Sequence, residues 1–155
     1  MALNPTYNYN FFGVDYAPTV FIGEAPKLMQ AQLPVWATAW TTANPTVSAW
    51  QNGALIAQVT ATGAYTLFDA TNAATAPLKG IYFDETANPA TVGTTGVFSN
   101  YAVRDGMETA WIYDKLIGAQ GSTTDIDWLI TNGHCTKRID NGLTLVSFGV
   151  IGFGA

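Results

Sequence analysis

The stretch NGALIAQVTATGAYTLFDA, residues 52–70, decides the fold class of this chain. It holds two short apolar or alternating runs, and each run follows a pair, Asn52-Gly53 or Thr62-Gly63, that is typical of a turn. These two runs are residues 54–59 and 64–68, and further runs of the same kind lie at 80–83 and 97–103. Short strands separated by turns in this way predict a mainly β domain, either a small β-barrel of β-tulip-like form or a sandwich.

The chain after residue 103 predicts one short helix and a strand meander. Asp105 and Glu108 have the spacing of a helix capping box, and apolar residues continue from there to Gly118, so we expect a helix over 105–118. Asn132-Gly133 and Asn141-Gly142 are signals for tight hairpin turns. Strands are therefore expected at 128–131, 135–139 and 143–151.

The first 35 residues differ from the rest in their pattern of aromatic residues and prolines, and they predict an extended arm. Aromatic residues alternate with asparagines near the start, so an extended strand presents them on one face, and the spacing of the prolines forbids a long helix. An ordinary first strand of the same domain remains the alternative. We divide the chain into an arm, 1–35, and a β-rich domain, 36–155. The arm residues expected to contact a partner are Tyr7, Tyr9, Phe11, Phe12 and Tyr16.

Length and composition exclude several classes of protein. At 155 residues the chain predicts one domain, and its 11% of charged residues is under half of the roughly 25% that is typical of soluble domains. A net charge of −5 argues against binding to nucleic acid. No apolar run is long enough to predict a membrane span. The first basic residue is Lys27, so we expect no export signal, and the single cysteine fits folding in a reducing cytoplasm.

No residue pattern predicts catalysis, a cofactor or a metal site. His134 and Cys135 are consecutive, so on a strand they point to opposite faces and the imidazole cannot readily activate the thiol. A single cysteine also excludes an internal disulfide and a Cys-rich zinc site. Asp125 and Asp127 would share one face of a strand and could hold calcium, but a solvated loop is the favoured interpretation. We therefore expect a protein that is not an enzyme.

A charge-free span from residue 28 to residue 68 is the best candidate for a docking surface. Small neutral side chains lose little entropy and little hydration when a partner covers them. The large aromatics of this span, expected at an interface with another subunit or with a partner protein, are Trp36, Trp40 and Trp50. With Tyr65 they could instead form a platform on which sugars stack, and this is the alternative: a carbohydrate-binding or tail-fibre-type adhesion module.

The stretch 52–70 resembles the head decoration proteins of tailed bacteriophages, the lambda-type family. In that family a glycine starts an apolar strand, a second glycine precedes an aromatic-containing strand, and an acidic residue, here Asp69, leads into a loop rich in Ala and Thr. The likeness continues through 76–85 and 97–103.

The resemblance implies a non-enzymatic cement protein that binds the outer surface of a matured phage head. Its partners would be the major capsid protein and two further copies of itself in a homotrimer, with no role for nucleic acid, membrane or cofactor. It would assemble in the host cytoplasm and reside in the virion. In that family the N-terminal arm becomes ordered on the shell and extends a capsid sheet.

Overall fold

A computed structural model of the chain describes residues 20–22, 27–33, 50–83, 97–103, 109–121 and 123–148. This part of the chain is mainly β, with two antiparallel sheets and one α-helix. Two short 3-10 helices lie at Ala70–Asn72 and Tyr113–Lys115. The strands and the α-helix are, in order, β1 (Phe21–Ile22), β2 (Lys27–Leu33), β3 (Leu55–Gln58), β4 (Tyr65–Leu67), β5 (Leu78–Tyr82), β6 (Val97–Val103), β7 (Ala110–Ile112), α1 (Thr124–Thr131), β8 (Cys135–Asp140) and β9 (Leu143–Phe148).

The larger sheet has five strands in the order β2-β6-β5-β3-β4. It is buried on both faces near its centre: Leu55 and Ala57 join the main core, whereas Ile56 points the other way into a second cluster with Leu67 and Trp50. Because both faces are covered, β3 reads as a continuous apolar run rather than an alternating one. The sheet curls, so that Cα atoms of β2 approach those of β4 within 8 Å. A closed barrel is not formed by the described strands.

A β-bulge in β5 adjusts which of its side chains face the main core. The partner of Ile56 is Gly80, but the partner of Ala57 is Leu78, so Lys79 is the extra residue. This insertion lets Leu78 and Ile81, three positions apart, both join the main core. Without a bulge, side chains three apart on a strand point to opposite faces.

The smaller sheet has four strands in the order β1-β7-β9-β8 and packs its inner face on the main core. Trp111 of β7 pairs with Val146 of β9, and both side chains are fully buried in that core. The opposite face carries a third apolar cluster, whose buried members are Ala110, Ile112 and Leu145. The strands that carry the resemblance to decoration proteins are thus all in the five-stranded sheet, and the C-terminal meander is in the other.

The strands predicted at 54–59, 64–68, 80–83, 97–103, 135–139 and 143–151 are confirmed as β3 to β6, β8 and β9 over the described residues. The predicted helix is wrong where it can be compared, because 110–112 form β7 and 113–115 a 3-10 helix. The apolar residues there occupy more than one stripe of a helix, and as a strand they fill both faces of the smaller sheet. Asp105 and Glu108 lie outside the described residues.

The strand predicted at 128–131 is also wrong, because these residues are the second half of α1. Asn132-Gly133 ends this helix instead of turning a hairpin. Gly133 has φ +78°, its N–H donates to Ile130 O, and the N–H of His134 donates to Leu129 O. This is a Schellman motif, which needs the left-handed residue that glycine provides. A residue–glycine pair therefore marks a positive φ reliably, but not the element that precedes it.

Part of the segment predicted as an arm lies in the sheets. Residues 21–22 pair with β7, and residues 27–33 pair along their whole length with β6. Leu33 is buried in the second cluster, beside Leu67 and Tyr82. The proposed contact residues Tyr7, Tyr9, Phe11, Phe12 and Tyr16 fall outside the described residues.

Candidate interaction surface

A buried carboxylate holds together the end of the molecule where α1 begins. The side chain of Asp125 is fully buried, and it accepts hydrogen bonds from the main-chain N–H groups of Ala70 (2.7 Å) and Gln120 (2.8 Å). The side-chain amide of Gln120 in turn donates to Asp69, at 3.1 Å. Gly118 makes this possible, because a Cβ at that position would lie 2.2 Å from a carboxylate oxygen of Asp125.

Burial raises the pKa of the Asp125 carboxyl above its usual range, and the hydrogen bonds from Ala70 and Gln120 offset only part of that rise. The solvated loop predicted for this residue is wrong, because its carboxylate serves as an acceptor for main-chain groups of two other segments. Asp127, two residues later, is exposed. The two aspartates therefore do not form a joint site.

The hairpin of β8 and β9 is the part of the described surface that is best suited to pairing with another chain. Its two-residue turn, Asn141-Gly142, has φ values of +50° and +79°, as a type I′ turn requires. β8 lies at the edge of the smaller sheet, and no described strand pairs with its outer side. Residues 136–140 are exposed on both faces, and Ile139, at 77%, is the one exposed large apolar side chain of the described residues.

The pairing of β8 with β9 determines which main-chain groups of β8 face outward. Asp140 pairs with Leu143 across the two-residue turn, which makes them a hydrogen-bonded pair. Hydrogen-bonded and non-hydrogen-bonded pairs alternate along an antiparallel ladder. The N–H and C=O groups of Cys135, Lys137 and Ile139 therefore point away from β9, toward the open edge.

Side chains beside the hairpin hold β8 against the body of the domain. The ammonium group of Lys137 lies 4.9 Å from the centre of the Tyr113 ring, and the Tyr113 hydroxyl donates to Asp127. Partial burial, together with this hydrogen bond, raises the pKa of Tyr113. On the other face, Arg138 donates from Nη1 to the hydroxyl of Ser147, at 2.8 Å. Lys137 and Arg138 thus anchor β8 to the domain, whereas Ile139 and Asp140, next to the turn, project into solvent.

His134 and Cys135 are placed at the start of β8 and do not face each other. Cys135 is buried in the main core, and burial raises the pKa of its thiol to about 12. His134 is exposed, and its ring stacks on Trp128 with 5.5 Å between ring centres. A thiol with so high a pKa is not a ready nucleophile, because the thiolate is the reactive form.

Of the tryptophans predicted at an interface, Trp50 is fully buried within the chain, with its ring 6.0 Å from that of Tyr82. Its side chain therefore presents no surface to a partner or to a sugar in the isolated chain. Trp36 and Trp40 fall outside the described residues. Tyr65 of β4 is half-buried.

None of the residues predicted at an interface lies on β8, where the structure exposes Lys137, Arg138 and Ile139. The signal was present, however, because the run CTKRID places charged residues at consecutive positions of a strand. Consecutive side chains point to opposite faces, so Lys137 and Arg138 place a charge on each face, which is typical of an edge strand.

Within the described ranges, no helix is long and apolar enough to cross a membrane, and no group of three or more His, Cys, Asp or Glu residues could hold a metal ion. Comparison of the chain with protein-family models, with curated proteins and with solved structures found no match. The functional proposal therefore depends on the fold, on the open edge of β8 and on the resemblance described above.

Proposed function

We propose that this protein is a non-enzymatic decoration protein that binds the outer surface of a phage head as a homotrimer and stabilises it. The observation that carries the proposal is the open strand β8, exposed on both faces and with main-chain groups of Lys137 and Ile139 directed outward. Strand addition at such an edge lets main-chain hydrogen bonds join the protein to a capsid strand or to a neighbouring copy on the head without a pocket.

The five-stranded sheet supports the same proposal. The segments that resemble decoration proteins, 52–70, 76–85 and 97–103, supply β3, β4, β5 and β6 of one sheet. Its curl, which brings β2 toward β4, is the geometry from which a β-tulip or barrel fold would develop. We include that fold type in the proposal.

In this function the protein clamps neighbouring subunits of the major capsid protein. A ligand that binds only the assembled shell stabilises it by mass action, and many copies make modest affinities collectively strong. The part of the arm before Val20 and the two tryptophans Trp36 and Trp40 are the proposed capsid contacts. The place of action is the outer face of the virion, after assembly in the host cytoplasm.

The test is decoration of heads that lack this protein. Heads assembled from the major capsid protein of the same phage are incubated with the purified full chain, sedimented, and examined by negative-stain microscopy. Because residues 28–68 hold no charged residue and residues 1–19 hold only Asp15, we expect the bound amount to be similar at 0.1 M and 1 M salt, although the Debye length falls from about 10 Å to about 3 Å. If the chain binds the heads at neither salt concentration, the proposal is overturned.

A truncated chain separates the contribution of the arm from that of the fold. Removal of residues 1–19 stops before Val20, which is buried in the main core. We expect this variant to unfold cooperatively, as the full chain does, but to bind heads much more weakly. Equal binding by the truncated chain contradicts the arm contacts. Glycan-dependent quenching of Trp fluorescence in a chain that does not bind heads supports the adhesion module instead.

A further inference from the structure

We propose that β8 pairs with β8 of a second copy of this chain, antiparallel, about a two-fold axis that passes through Ile139. This contact goes beyond the proposed function, because it assigns the open edge of β8 to self-association and leaves the capsid contacts to the residues before Val20 and to Trp36 and Trp40. The occupant of the open edge follows from three features of β8: the direction of its main-chain groups, the positions of its charges, and its one exposed apolar residue.

The main-chain groups restrict the possible registers. Only Cys135, Lys137 and Ile139 direct their N–H and C=O groups outward, so a ladder must place these residues opposite one another. Cys135 adjoins the body of the domain and its side chain is buried. A two-fold axis at Thr136 would lay Ile139 of one copy against Gly133 of the other, at the end of α1 and beside the body of the domain. An axis at Ile139 opposes Lys137 to Asn141 of the projecting turn, so it forms one hydrogen-bonded pair and keeps the two bodies farther apart. The axis therefore passes through Lys137 or a residue beyond it.

The charges of β8 select one of the remaining registers. An axis at Lys137, Arg138 or Asp140 places that residue opposite its own copy, and like charges directly opposite are destabilising. An axis at Ile139 instead places Arg138 of each copy opposite Asp140 of the other, which gives two pairs of opposite charge. These are non-hydrogen-bonded pairs, in which the Cα atoms are only about 4.5 Å apart and the side chains are closest.

The same register covers the exposed apolar residue. Ile139, which is 77% exposed in the single chain, meets its own copy at the axis, and the two residues exchange reciprocal N–H to O=C hydrogen bonds. Arg138 keeps donors for Asp140 of the other copy while one of its nitrogens bonds Ser147, because a guanidinium has five N–H groups. The short ladder makes a weak contact, which gains strength when many copies are held on one surface.

Cysteine cross-linking of the full chain tests the register. Ile139→Cys places two thiols at the axis, with Cα atoms about 5.5 Å apart, within the range that a disulfide requires. We expect this variant to give roughly tenfold more disulfide-linked dimer under mild oxidation than Lys137→Cys, Arg138→Cys or the equally exposed control Thr136→Cys. The native chain is the background, since its single thiol, Cys135, is buried.

The outcomes separate the alternatives. Faster cross-linking of Lys137→Cys or Arg138→Cys overturns the axis at Ile139, and equal yields for all four variants overturn self-pairing. If β8 is instead occupied by a capsid strand, the variants do not cross-link alone, and Ile139→Cys becomes protected from thiol reagents only on heads. That result also overturns self-pairing, while leaving the proposed function standing.

A charge exchange provides a second, independent measurement. In the Ile139→Cys background, Arg138→Asp opposes two aspartates and is expected to reduce the dimer yield, and adding Asp140→Arg restores the opposite pairs and the yield. Failure of the double exchange to restore cross-linking, in a chain whose thermal unfolding remains cooperative, contradicts the proposed register.

Discussion

Replacing Asp125 by alanine tests whether this carboxylate joins α1 to the 69–72 segment. The substitution removes the fully buried acceptor of two N–H groups, those of Ala70 and Gln120. A hydrogen bond to a charged group contributes about 1.5–3 kcal/mol, so loss of the two costs about 4 kcal/mol. Removing a carboxylate that burial disfavours returns a part of this, and we expect a net loss of about 3 kcal/mol in the free energy of unfolding.

Asp127→Ala is the matched control, because Asp127 lies in the same first turn of α1 and has the same charge, but is exposed. Its bonds to Tyr113 and Thr123 are at the surface, so we expect a loss of about 1 kcal/mol. The assay is urea denaturation followed by Trp fluorescence, with both variants compared at one pH and salt concentration. If the two variants lose the same free energy within about 1 kcal/mol, the carboxylate of Asp125 is not the joint described here.

Three further predictions concern single positions. Gly142 has a positive φ and open space around it, so Gly142→Ala is expected to cost about 1 kcal/mol from backbone strain alone. Gly53→Ala adds a contact of 2.1 Å with Lys115 O to the same strain and is expected to cost about 3 kcal/mol or more. The same denaturation assay measures both losses. The buried Cys135 thiol is expected to resist a colorimetric thiol reagent at pH 8 until denaturant is added, and fast labelling of the folded chain would refute this. The raised pKa of Asp125 means that folding favours its protonated form, so its contribution to stability declines as pH rises through that pKa. Carboxyl NMR titration measures the pKa, and Asp125→Asn is expected to flatten this part of the pH–stability curve.

The elements that could be predicted from sequence are those whose turn chemistry and side-chain pattern agree. The turns at Gly53, Gly63 and Gly142 all have positive φ, and the strands that they bound were found at nearly the expected positions. In these cases local preference and tertiary pairing favour the same structure. The division into two sheets was not predictable, because it depends on which distant strands pair.

The errors occur where one pattern satisfies two structures. The apolar run around Trp111 suits a helix covered on several sides and a strand buried on both faces equally well, and pairing with Val146 decides for the strand. Residues 128–131, taken alone, suit a short strand, whereas over the length of α1 Ile126, Leu129 and Ile130 have helical spacing. The burial of Asp125 depends on Ala70, 55 positions away, so no local pattern could reveal it.

The pairing of β2 with β6 has a consequence for how the chain folds during synthesis. Residues 27–33 need partners at 97–103, whereas the hairpins β3–β4 and β8–β9 close over a few residues. A ribosome adding 5–20 residues per second needs roughly 4–14 seconds to make the intervening roughly 70 residues. During that interval β6, the partner of β2 in the described sheet, has not yet been made. We therefore expect folding to be slow for a chain of this size, since non-local strand pairing lowers folding rates, and the nascent chain to bind chaperones through its early apolar segments until β6 has emerged.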